Sequence, residues 1–493
     1  MTSKGSSGQG KTGRDYRILY FMNELCAKTA VELRNLIGEK KISAVELLDA
    51  HLEQIELTNS SLNAIVTLVP DHAKEMAQKV DLQIARGENP GLLAGLPIAH
   101  KDLLQTKAIK TTFGSKLFEN FVPKKNALIV QRLVDAGGVT IGKTNVPEWG
   151  AGSQTFNDVF GETKNPFDLT RTCGGSSGGA AVALAARMLP LADGSDMGGS
   201  LRNPASFCNV VGFRTSAGRV PAYPVPDGWS NLSVLGPMAR TVSDCALMLA
   251  AIAGPDDRTP ISLPDSSALF LDALDSDQKG TRVAFSPDFG GQLPVELAVR
   301  NVITEGAQVL SDLGCKVSES CPDFSGADEV FKTLRAWSFA SQHGEGIRRH
   351  PDQYKETIIW NVEAGLKLSG TDVSDANKVR TQIYNRVNTF FQDYDFLVLP
   401  VSQVAPFPLT NEYVTSINGT RMETYIDWMK SCYYITVTGL PAISIPCGFT
   451  PEGLPVGIQI IGKPLQELAI LRIAYAFEQV TRSWKTQPDI CLL

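Results

Sequence analysis

The sequence predicts an α/β fold in which helices cover both faces of a central β-sheet. Six short apolar segments have the length and composition of buried strands, and helical stretches lie between or after them. These segments occur towards both ends of the chain, with no clear linker between them. A single large domain is therefore favoured over the three domains that 493 residues would allow at about 150 residues each.

Local patterns define the predicted elements. Thr29 with Glu32, and Ser43 with Glu46, have the spacing of capping boxes, in which each side chain satisfies a free backbone N–H at the start of a helix. Both pairs therefore predict helix starts. The predicted strands are 96–99, 139–141, 283–285, 396–399, 442–445 and 456–461, and the later helices include 127–136, 180–188 and 465–479.

Two segments depart from this alternation. Residues 315–392 lack strand signals and carry Trp337 and Trp360, so we expect a helical insertion that forms a wall of the substrate pocket. Residues 1–23 are expected to be a disordered tail in front of a domain at 24–493, because they begin with a run almost free of apolar side chains. A match to the phosphate-loop pattern GxxxxGK(S/T) at 5–12 lies in this tail; it lacks a preceding strand and so predicts no nucleotide site.

Composition and charge exclude several classes of function. The chain has 46 Lys and Arg against 52 Asp and Glu, a net charge of -6, and no basic block, so we expect no nucleic-acid partner. No apolar run approaches the roughly 18 residues that cross a bilayer, and the N-terminus lacks a secretory signal, so we expect no membrane association. Nine dispersed cysteines without a CxxC pair favour a reducing cytoplasm over a disulfide framework.

Metal and cofactor sites are not expected either. The five histidines include no HExxH motif and no pair spaced by four residues, and no cluster of Cys and His stands out as a set of metal ligands. The sequence therefore predicts chemistry that side chains carry out alone, without a cofactor.

The segment 174–206 is the most unusual in composition. Two serine clusters flanked by glycines, GGSSGG at 174–179 and DGSDMGGS at 193–200, bracket a helix of small residues. One interpretation is a nucleophilic serine on a tight turn, with the amides of Gly198, Gly199 and Ser200 pointing at an oxyanion and a helix starting just after Ser200. The alternative is a flexible loop. Because both clusters are short and embedded in Ala- and Leu-rich sequence, the site is favoured.

A nucleophilic serine needs a general base, because its hydroxyl is barely ionised at neutral pH. No histidine lies near these serines in sequence, and the GxSxG elbow of α/β-hydrolases is absent around them. A lysine can serve as the base if burial keeps it neutral. Lys101 fits this requirement at the end of the predicted strand in GLPIAHKD, although a solvated lysine at a strand end is an alternative that the residues leave open.

Together these motifs resemble the amidase signature family of Ser-cisSer-Lys hydrolases. The segment 174–206 is similar to the family signature nearly throughout, and GLPIAHKDLL at 95–104 is similar to its lysine strand. The resemblance implies the fold of that family, one amidase domain with a mixed central sheet. Further similar segments, which bring the coverage to about 25–485, are TNVPEWGAGSQTFN (144–157), TKNPFDLTRT (163–172), FRTSAGRVP (213–221), GPMART (236–241), YDFLVLP (394–400) and GLPAISIPCGFTPEGLPVGIQIIGKP (439–464).

The resemblance also implies a role for each matching residue. Ser200 matches the nucleophile, Lys101 the base, and Ser176 a bridging serine whose preceding peptide bond is cis. Lys101 would take a proton from Ser176 and Ser176 one from Ser200, which attacks the carbonyl to form an acyl-enzyme that water hydrolyses. The implied oxyanion hole comprises the N–H groups of Met197, Gly198, Gly199 and Ser200, and the implied supporting residues are Ser177, Asp196 and Arg202.

Two positions depart from the family pattern. Ser195 stands where many members have Thr, and Cys173 stands where many have Pro. Both side chains are small, and we expect neither of them to touch the proton path. The departures therefore leave the implied roles unchanged.

The resemblance leaves the substrate open among amides, anilides, esters and carbamates. We favour aryl amides or carbamates with apolar groups, because many aromatic side chains could line a pocket, although core packing is the alternative for each. The aromatic candidates are Trp149, Phe156, Trp229, Trp337, Trp360, Trp428, Tyr433 and Tyr434. Arg348 and Arg349 could contact an anion, but a solvated helix face is favoured.

Two other functions compete with a free-standing amidase. Some family members are glutamine-hydrolysing subunits of a tRNA-dependent amidotransferase; against this, Asn203 follows Arg202 where we expect Gln, and the aromatic insertion favours a larger substrate. A non-catalytic binding protein is disfavoured because Lys101, Ser176 and Ser200 are all present. A homodimer is compatible with the sequence, but no heptad pattern predicts one.

Overall fold

Eleven strands form one central sheet in the computed structural model, which describes residues 22–491. The strands of this part of the chain are β1 (Ile65–Leu68), β2 (Pro97–Lys101), β3 (Val139–Thr144), β4 (Phe156–Asn157), β5 (Gly161–Glu162), β6 (Lys164–Asn165), β7 (Asp168–Thr172), β8 (Leu191–Asp196), β9 (Val211–Arg214), β10 (Val234–Ala239), β11 (Arg282–Phe285), β12 (Lys316–Glu319), β13 (Phe396–Pro400), β14 (Ser416–Ile417), β15 (Thr420–Arg421), β16 (Ala442–Phe449) and β17 (Pro455–Gly462). Its α-helices are α1 (Glu24–Ala27), α2 (Ala30–Gly38), α3 (Ala44–Leu62), α4 (Pro70–Ala85), α5 (Leu128–Asp135), α6 (Gly178–Ala185), α7 (Arg202–Phe207), α8 (Val242–Ile252), α9 (Leu297–Asp312), α10 (Ala327–Arg349), α11 (Glu356–Leu366), α12 (Gly370–Phe390), α13 (Lys430–Thr438) and α14 (Glu467–Thr481).

The central sheet is mixed and has the strand order β1-β3-β2-β8-β10-β9-β16-β17-β13-β11-β12. Strand β2 runs parallel to β3 and β8, whereas β10 runs antiparallel to β8 and β9. Both faces are covered, as alternate residues of β13 show: Phe396 and Val398 belong to one apolar cluster, and Leu397 and Leu399 belong to another. This single large α/β domain confirms the predicted fold class.

All six predicted strands are present, as β2, β3, β11, β13, β16 and β17, whereas the sequence does not predict β1, β8, β9, β10 and β12. Strand β8 ends in Gly194, Ser195 and Asp196, which are residue types typical of loops. Strand β12 lies inside the segment 315–392, for which no strand is predicted. It is an edge strand whose residues are mostly exposed, so it lacks the apolar run that marks a buried strand.

The two predicted helix starts are confirmed. Thr29 caps α2 and Ser43 caps α3, and each forms a complete capping box with the glutamate three residues later. Three helices, α10, α11 and α12, follow β12. Residues 1–21 of the predicted tail, including the phosphate-loop match at 5–12, lie outside the described residues. Between residues 22 and 491, no helix has the length and apolar character needed to span a membrane.

The ends of two neighbouring strands bring distant parts of the sequence together. Strand β2 ends at Lys101, and β8, which pairs with it in parallel, ends at Asp196. The first serine cluster leads into the start of α6, and the second spans the end of β8 and the turn before α7. Lys101 and both serine clusters are therefore positioned at one edge of the sheet.

Candidate active site

The Lys101 side chain is fully buried at the end of β2 and reaches both serine clusters. Its Nζ lies 2.8 Å from Ser176 Oγ, 2.8 Å from Ser177 Oγ and 2.9 Å from Ser195 Oγ. The last contact corrects the expectation that Ser195 lies away from the proton path. The sequence could not indicate it, because Ser195 is brought to the lysine by β8, a strand that the sequence does not predict.

Burial changes the acid–base character of Lys101. Removal from water disfavours the ammonium ion and lowers the pKa of Lys101 to about 7, although the carboxylates of Asp196 and Asp193 oppose this shift. A neutral amine has two N–H donors and one lone pair, which together match the three hydroxyls around Nζ. The amine can therefore accept a proton from one of these hydroxyls near neutral pH.

A buried acid–histidine pair fixes the end of β2. Asp193 Oδ1 accepts the backbone N–H of Lys101 at 2.7 Å, and Asp193 Oδ2 lies 2.6 Å from His100 Nδ1. The other ring nitrogen of His100 lies 3.0 Å from Thr140 Oγ1 on β3. These contacts hold the backbone of Lys101 and so direct its side chain. The sequence analysis did not identify this pair; a charged residue directly after the apolar stretch LPLA was the available signal.

Ser200 lies in the turn between β8 and α7, and it lines the same cavity as Ser176. Within the described residues no hydrogen bond joins the hydroxyls of these two serines. The carbonyl oxygen of Ser200 accepts the N–H of Ser177 at 3.2 Å, which holds the two serine clusters against each other. The Gly175–Ser176 peptide bond is cis, as the family resemblance implies.

Not all amides of the loop before Ser200 are available to a substrate. The N–H of Gly199 donates to Asp196 Oδ1 at 2.9 Å, which removes it from the predicted oxyanion hole. The physical reason is that a buried carboxylate is a strong acceptor directly beneath this amide. The N–H groups of Met197, Gly198 and Ser200 have no acceptor within the described residues. These three amides can stabilise an oxyanion.

The two glycines before Ser200 lie in close quarters, and at Gly199 the backbone conformation and the space both require glycine. Gly199 has a φ of +111°, which other residues rarely adopt, and a Cβ there would lie 2.5 Å from the Cβ of Cys432 on α13. A Cβ on Gly198 would lie 3.1 Å from Cζ of Phe331 on α10. The loop therefore passes close to both helices, which limits the side chains that can replace these two glycines.

Asp196 anchors the loop to two buried arginines. Arg202 Nε and Nη2 each lie 3.0 Å from a carboxylate oxygen of Asp196, and Arg214 Nη1 lies 3.2 Å from Oδ1. Burial alone would raise the pKa of Asp196, but the two guanidinium groups hold it well below its usual range. Arg214 is a brace that the sequence analysis missed, because it lies on the unpredicted strand β9.

A cavity of about 270 Å³ opens next to the serines and is enclosed partly by α10. Trp149 packs against His343, with ring centroids 4.9 Å apart. Burial, reinforced by the positive charge of Arg335, lowers the pKa of His343 to about 4, so this ring is neutral at pH 7. The residues that define the cavity include Ser176, Ser195, Met197, Gly198, Ser200, Trp149, Phe331, Arg335, Phe339, His343 and Met429.

Of the eight aromatic candidates, Trp149 alone lines this cavity within the described residues. The core encloses Trp428 and Tyr433, whereas Trp229, Trp337 and Trp360 are exposed. The rings of Phe331 and Phe339 do line the cavity and were not among the candidates. Their spacing of eight residues places them on one face of α10, and this periodicity was the signal available.

Other nucleophiles and ligands are not supported near the site. Burial raises the pKa of Cys432, behind Gly199, to about 12, so this thiol is not a thiolate at neutral pH. No group of three or more His, Cys, Asp and Glu side chains in the part of the chain from 22 to 491 is arranged to hold a metal ion. Arg348 and Arg349 lie exposed in the last turn of α10.

Three comparisons relate this geometry to known proteins. The family model described as Amidase matches residues 46–471. One subunit of the glutamyl-tRNA(Gln) amidotransferase of Gloeobacter violaceus is 36% identical over 488 residues, which cover 93% of this chain and 98% of that protein. An acylamidase of Rhodococcus erythropolis is 35% identical over 463 residues, which cover 92% of this chain and 96% of that protein. The crystal structure of a bacterial aryl acylamidase of the amidase signature family has a TM-score of 0.89 at 28% identity, and the match covers 95% of this chain and 99% of that one.

Proposed function

The chain belongs to the amidase signature family and is a hydrolase of amide C–N bonds, and within that class we propose that it cleaves aryl amides or carbamates through an acyl-enzyme on Ser200. Lys101 is the base, and Ser176 is the proton shuttle. The observation that carries this proposal is the fully buried Lys101 Nζ, 2.8 Å from Ser176 Oγ beside the cavity that Ser200 lines. A buried lysine surrounded by hydroxyls fits a proton acceptor better than it fits a structural ion pair.

Acylation begins with proton transfer through the two serines. Neutral Nζ accepts the Ser176 proton, and Ser176 Oγ accepts the Ser200 proton while Ser200 Oγ attacks the substrate carbonyl. A C–O bond forms, and the carbonyl π electrons move to the oxygen, which the three free amides of the loop stabilise. As the C–N bond breaks, the proton held by Lys101 returns through Ser176 to the leaving nitrogen. The products of this step are a neutral amine and an ester of Ser200.

Deacylation repeats the same transfers with water as the nucleophile. Water gives a proton to the Ser176–Lys101 pair as its oxygen attacks the ester carbonyl. The C–O bond to Ser200 then breaks, and the stored proton returns to Ser200 Oγ. An amide substrate is released as a carboxylic acid, and a carbamate as a carbonic acid monoester that breaks down to an alcohol and CO2; the enzyme is restored without any cofactor.

The cavity favours a substrate with an apolar ring next to the scissile carbonyl. Trp149, Phe331 and Phe339 supply aromatic surface, and a volume of about 270 Å³ holds a ring with a short acyl group. Because α10 supplies two of these rings, we assign the helical segment after β12 as the pocket wall. The similarity to the Rhodococcus acylamidase and to the aryl acylamidase structure supports the same substrate class.

An activity panel with the purified chain tests this proposal. The substrates are an anilide, a primary amide, an aryl ester, a phenyl carbamate and glutamine, each assayed with the wild type and with Ser200→Ala. We expect turnover of the anilide or carbamate that disappears in the variant, together with an acyl-enzyme that mass spectrometry detects on Ser200. Turnover that survives in Ser200→Ala would refute the assigned nucleophile.

A second candidate is a glutamine-hydrolysing component of an amidotransferase. It is favoured by the 36% identity to the Gloeobacter amidotransferase protein, which extends over 98% of that protein. The same serines and lysine would then release ammonia from glutamine. Activity on glutamine alone, or on no member of the panel until a second subunit is added, would support this function over the free-standing hydrolase.

We also propose that the enzyme works in the cytoplasm without a nucleic-acid partner. All nine cysteines are unpaired thiols in the structure, which fits a reducing compartment. Thiol titration of the denatured protein, purified without reductant under exclusion of air, should detect nine free groups. A lower count would indicate a disulfide and a different compartment.

A further inference from the structure

One positively charged side chain lines the cavity beside the serines. Arg335 lies on α10, is only 5% exposed, and is the sole Lys or Arg among the described residues that line this cavity. Within residues 22–491 no Asp or Glu side chain forms an ion pair with its guanidinium, whose hydrogen-bond partner is the neutral Asn361. A buried charge without a counter-ion is costly unless a ligand or solvent compensates for it.

The protein provides a hydrogen-bond acceptor for only part of the Arg335 guanidinium. Nη1 donates to Asn361 Oδ1, and the group lies over the rings of Phe339, 4.3 Å from its centroid, and Tyr425, 5.5 Å from its centroid. A guanidinium has five N–H donors, so most of them are left for another acceptor. Its other nitrogens make no hydrogen bond within the described residues, and Arg335 is one of the residues that line the cavity. These nitrogens are therefore the donors that the side chain can offer to a ligand in the cavity.

The position of Arg335 on its helix relates it to the nucleophile. Phe331, one turn earlier on α10, is the side chain that faces Gly198 in the loop before Ser200. Arg335 follows Phe331 by one helical turn, about 5.4 Å along the axis, and it lines the same cavity as Ser200. A substrate held at Ser200 that fills this cavity can therefore bring a group a few bonds from its carbonyl to the guanidinium.

The charges around the cavity favour an anion over a zwitterion. Among the described residues that line the cavity, Asp227 is the one with a carboxylate, and it is exposed in the segment between β9 and β10. None of these residues is a buried Asp or Glu that could hold an ammonium group. A planar guanidinium matches the geometry of a carboxylate, which it can bind through two parallel N–H donors.

We propose that Arg335 binds a carboxylate on the substrate, so that the preferred substrates are amides or carbamates with an apolar aryl group and a carboxylate a few bonds from the scissile carbonyl. This inference rests on the proposed function, because it assigns the substrate class of the same site. Arg335 acts here in binding, and it takes no part in the proton path through Lys101, Ser176 and Ser200.

Matched substrates test the inference. Succinic mono(para-nitroanilide) carries the carboxylate, and isocaproic para-nitroanilide replaces it with an isopropyl group of similar shape. We expect the wild type to favour the succinyl compound in kcat/KM. In Arg335→Gln the ratio of the two kcat/KM values should fall roughly 10- to 100-fold, the range of a charge-assisted hydrogen bond. Arg335→Lys, which keeps the charge without the planar fork, should give an intermediate ratio.

A control on the same helix separates a local contact from a general effect of charge. Arg348 is exposed in the last turn of α10, outside the cavity. Arg348→Gln removes the same charge and should leave the ratio at its wild-type value. An equal ratio in the wild type and in Arg335→Gln, or an equal fall in Arg348→Gln, would overturn the inference.

A binding experiment keeps the inference separate from the proposed function. Succinic mono(para-nitroanilide) is titrated calorimetrically into Ser200→Ala and into the double variant Ser200→Ala, Arg335→Gln, with circular dichroism as a check of folding. We expect binding that weakens at least roughly 10-fold in the double variant. Equal binding would refute the role of Arg335 even if hydrolysis is confirmed. If no substrate were turned over but binding still depended on Arg335, the proposed function would be refuted instead.

Discussion

Lys101 Nζ and Ser176 Oγ lie 2.8 Å apart at a place where both side chains are almost completely removed from water. An ammonium ion is costly in such a place, whereas a neutral amine is not. The hydrogen bond therefore joins a hydroxyl to an amine that can be neutral near pH 7, as the proposed base must be. The balance between the neutral and the protonated form of Lys101 therefore determines how the proposed activity depends on pH.

We expect kcat/KM to fall as the pH drops below about 7. Burial lowers the pKa of Lys101 to about 7, and below that pH its Nζ carries a proton and cannot accept another. Above it the amine is neutral and the profile levels off. A pH–rate profile of the wild type measures this, and Lys101→Ala should lose several orders of magnitude in rate without losing its fold.

Lys143 supplies a matched control for this profile. It is also fully buried, and burial lowers its pKa to about 8, but its Nζ contacts Thr106 and Thr111 and none of the serines. The Lys143→Met variant, where it folds, should therefore keep the acid limb of the profile, which is the fall in kcat/KM below about pH 7. If that fall disappeared in Lys143→Met, it would belong to Lys143 and not to Lys101.

The two neighbouring serines should differ in their effect on rate. Ser176 and Ser177 both lie 2.8 Å from Lys101 Nζ, but Ser176 lines the cavity with Ser200, whereas Ser177 is fully buried. Ser176→Ala breaks the proton path and should lower kcat by roughly 10²- to 10⁴-fold, the usual contribution of a positioned proton carrier. Ser177→Ala should cost less. Equal losses in steady-state kcat would show that Ser176 has no special role.

Local patterns in the sequence predicted the parts of the fold that depend on neighbouring residues. The capping boxes at Thr29 and Ser43 were correct because both hydrogen bonds of each box lie within four residues. Buried strands such as β13 were found because both of their faces are apolar. Strand β8 was missed, since its Gly194 and Ser195 resemble a loop although pairing with β10 holds them extended.

The candidate site was predicted where the sequence carried a contiguous motif and was incomplete elsewhere. The serine clusters and Lys101 could be named from their segments, and the structure brings them together. The roles of Ser195, Arg214 and Arg335 depend on contacts with residues at least 18 positions away, which no local pattern contains. The donation of Gly199 to Asp196 was also missed, because it depends on how the turn folds back over the carboxylate.

Activity should not depend on a metal ion. The proposed steps use only side chains and amides, and the described residues hold no group of three potential ligands. Treatment with a chelator such as EDTA, followed by dialysis, should therefore leave kcat/KM unchanged. A loss of activity that added zinc or magnesium restores would contradict a cofactor-free mechanism.

Ser195 should affect the pKa of Lys101 without carrying the transferred proton. Its hydroxyl, 2.9 Å from Lys101 Nζ, can accept a hydrogen bond from the ammonium ion and so favours the protonated form. Ser195→Ala removes this acceptor and should move the acid limb of the pH–rate profile to lower pH, by less than about one unit. Ser195→Thr keeps a hydroxyl and should leave the limb in place. A shift to higher pH in Ser195→Ala would contradict this role.

The Asp196 carboxylate should contribute more to stability than any exposed ion pair of the protein. Its folded-state pKa is depressed by Arg202 and Arg214 against the effect of burial, so its stabilisation is present at neutral pH and is lost as the pH falls. Asp196→Asn leaves two buried arginines without a counter-ion and should reduce the free energy of unfolding by about 3–5 kcal/mol. Asp395→Asn is the control, because its pairs with Arg282 and Lys463 are partly exposed and should cost less than about 1 kcal/mol. Urea unfolding at pH 7 measures both; similar losses in the two variants would mean that Asp196 does not brace the nucleophile loop.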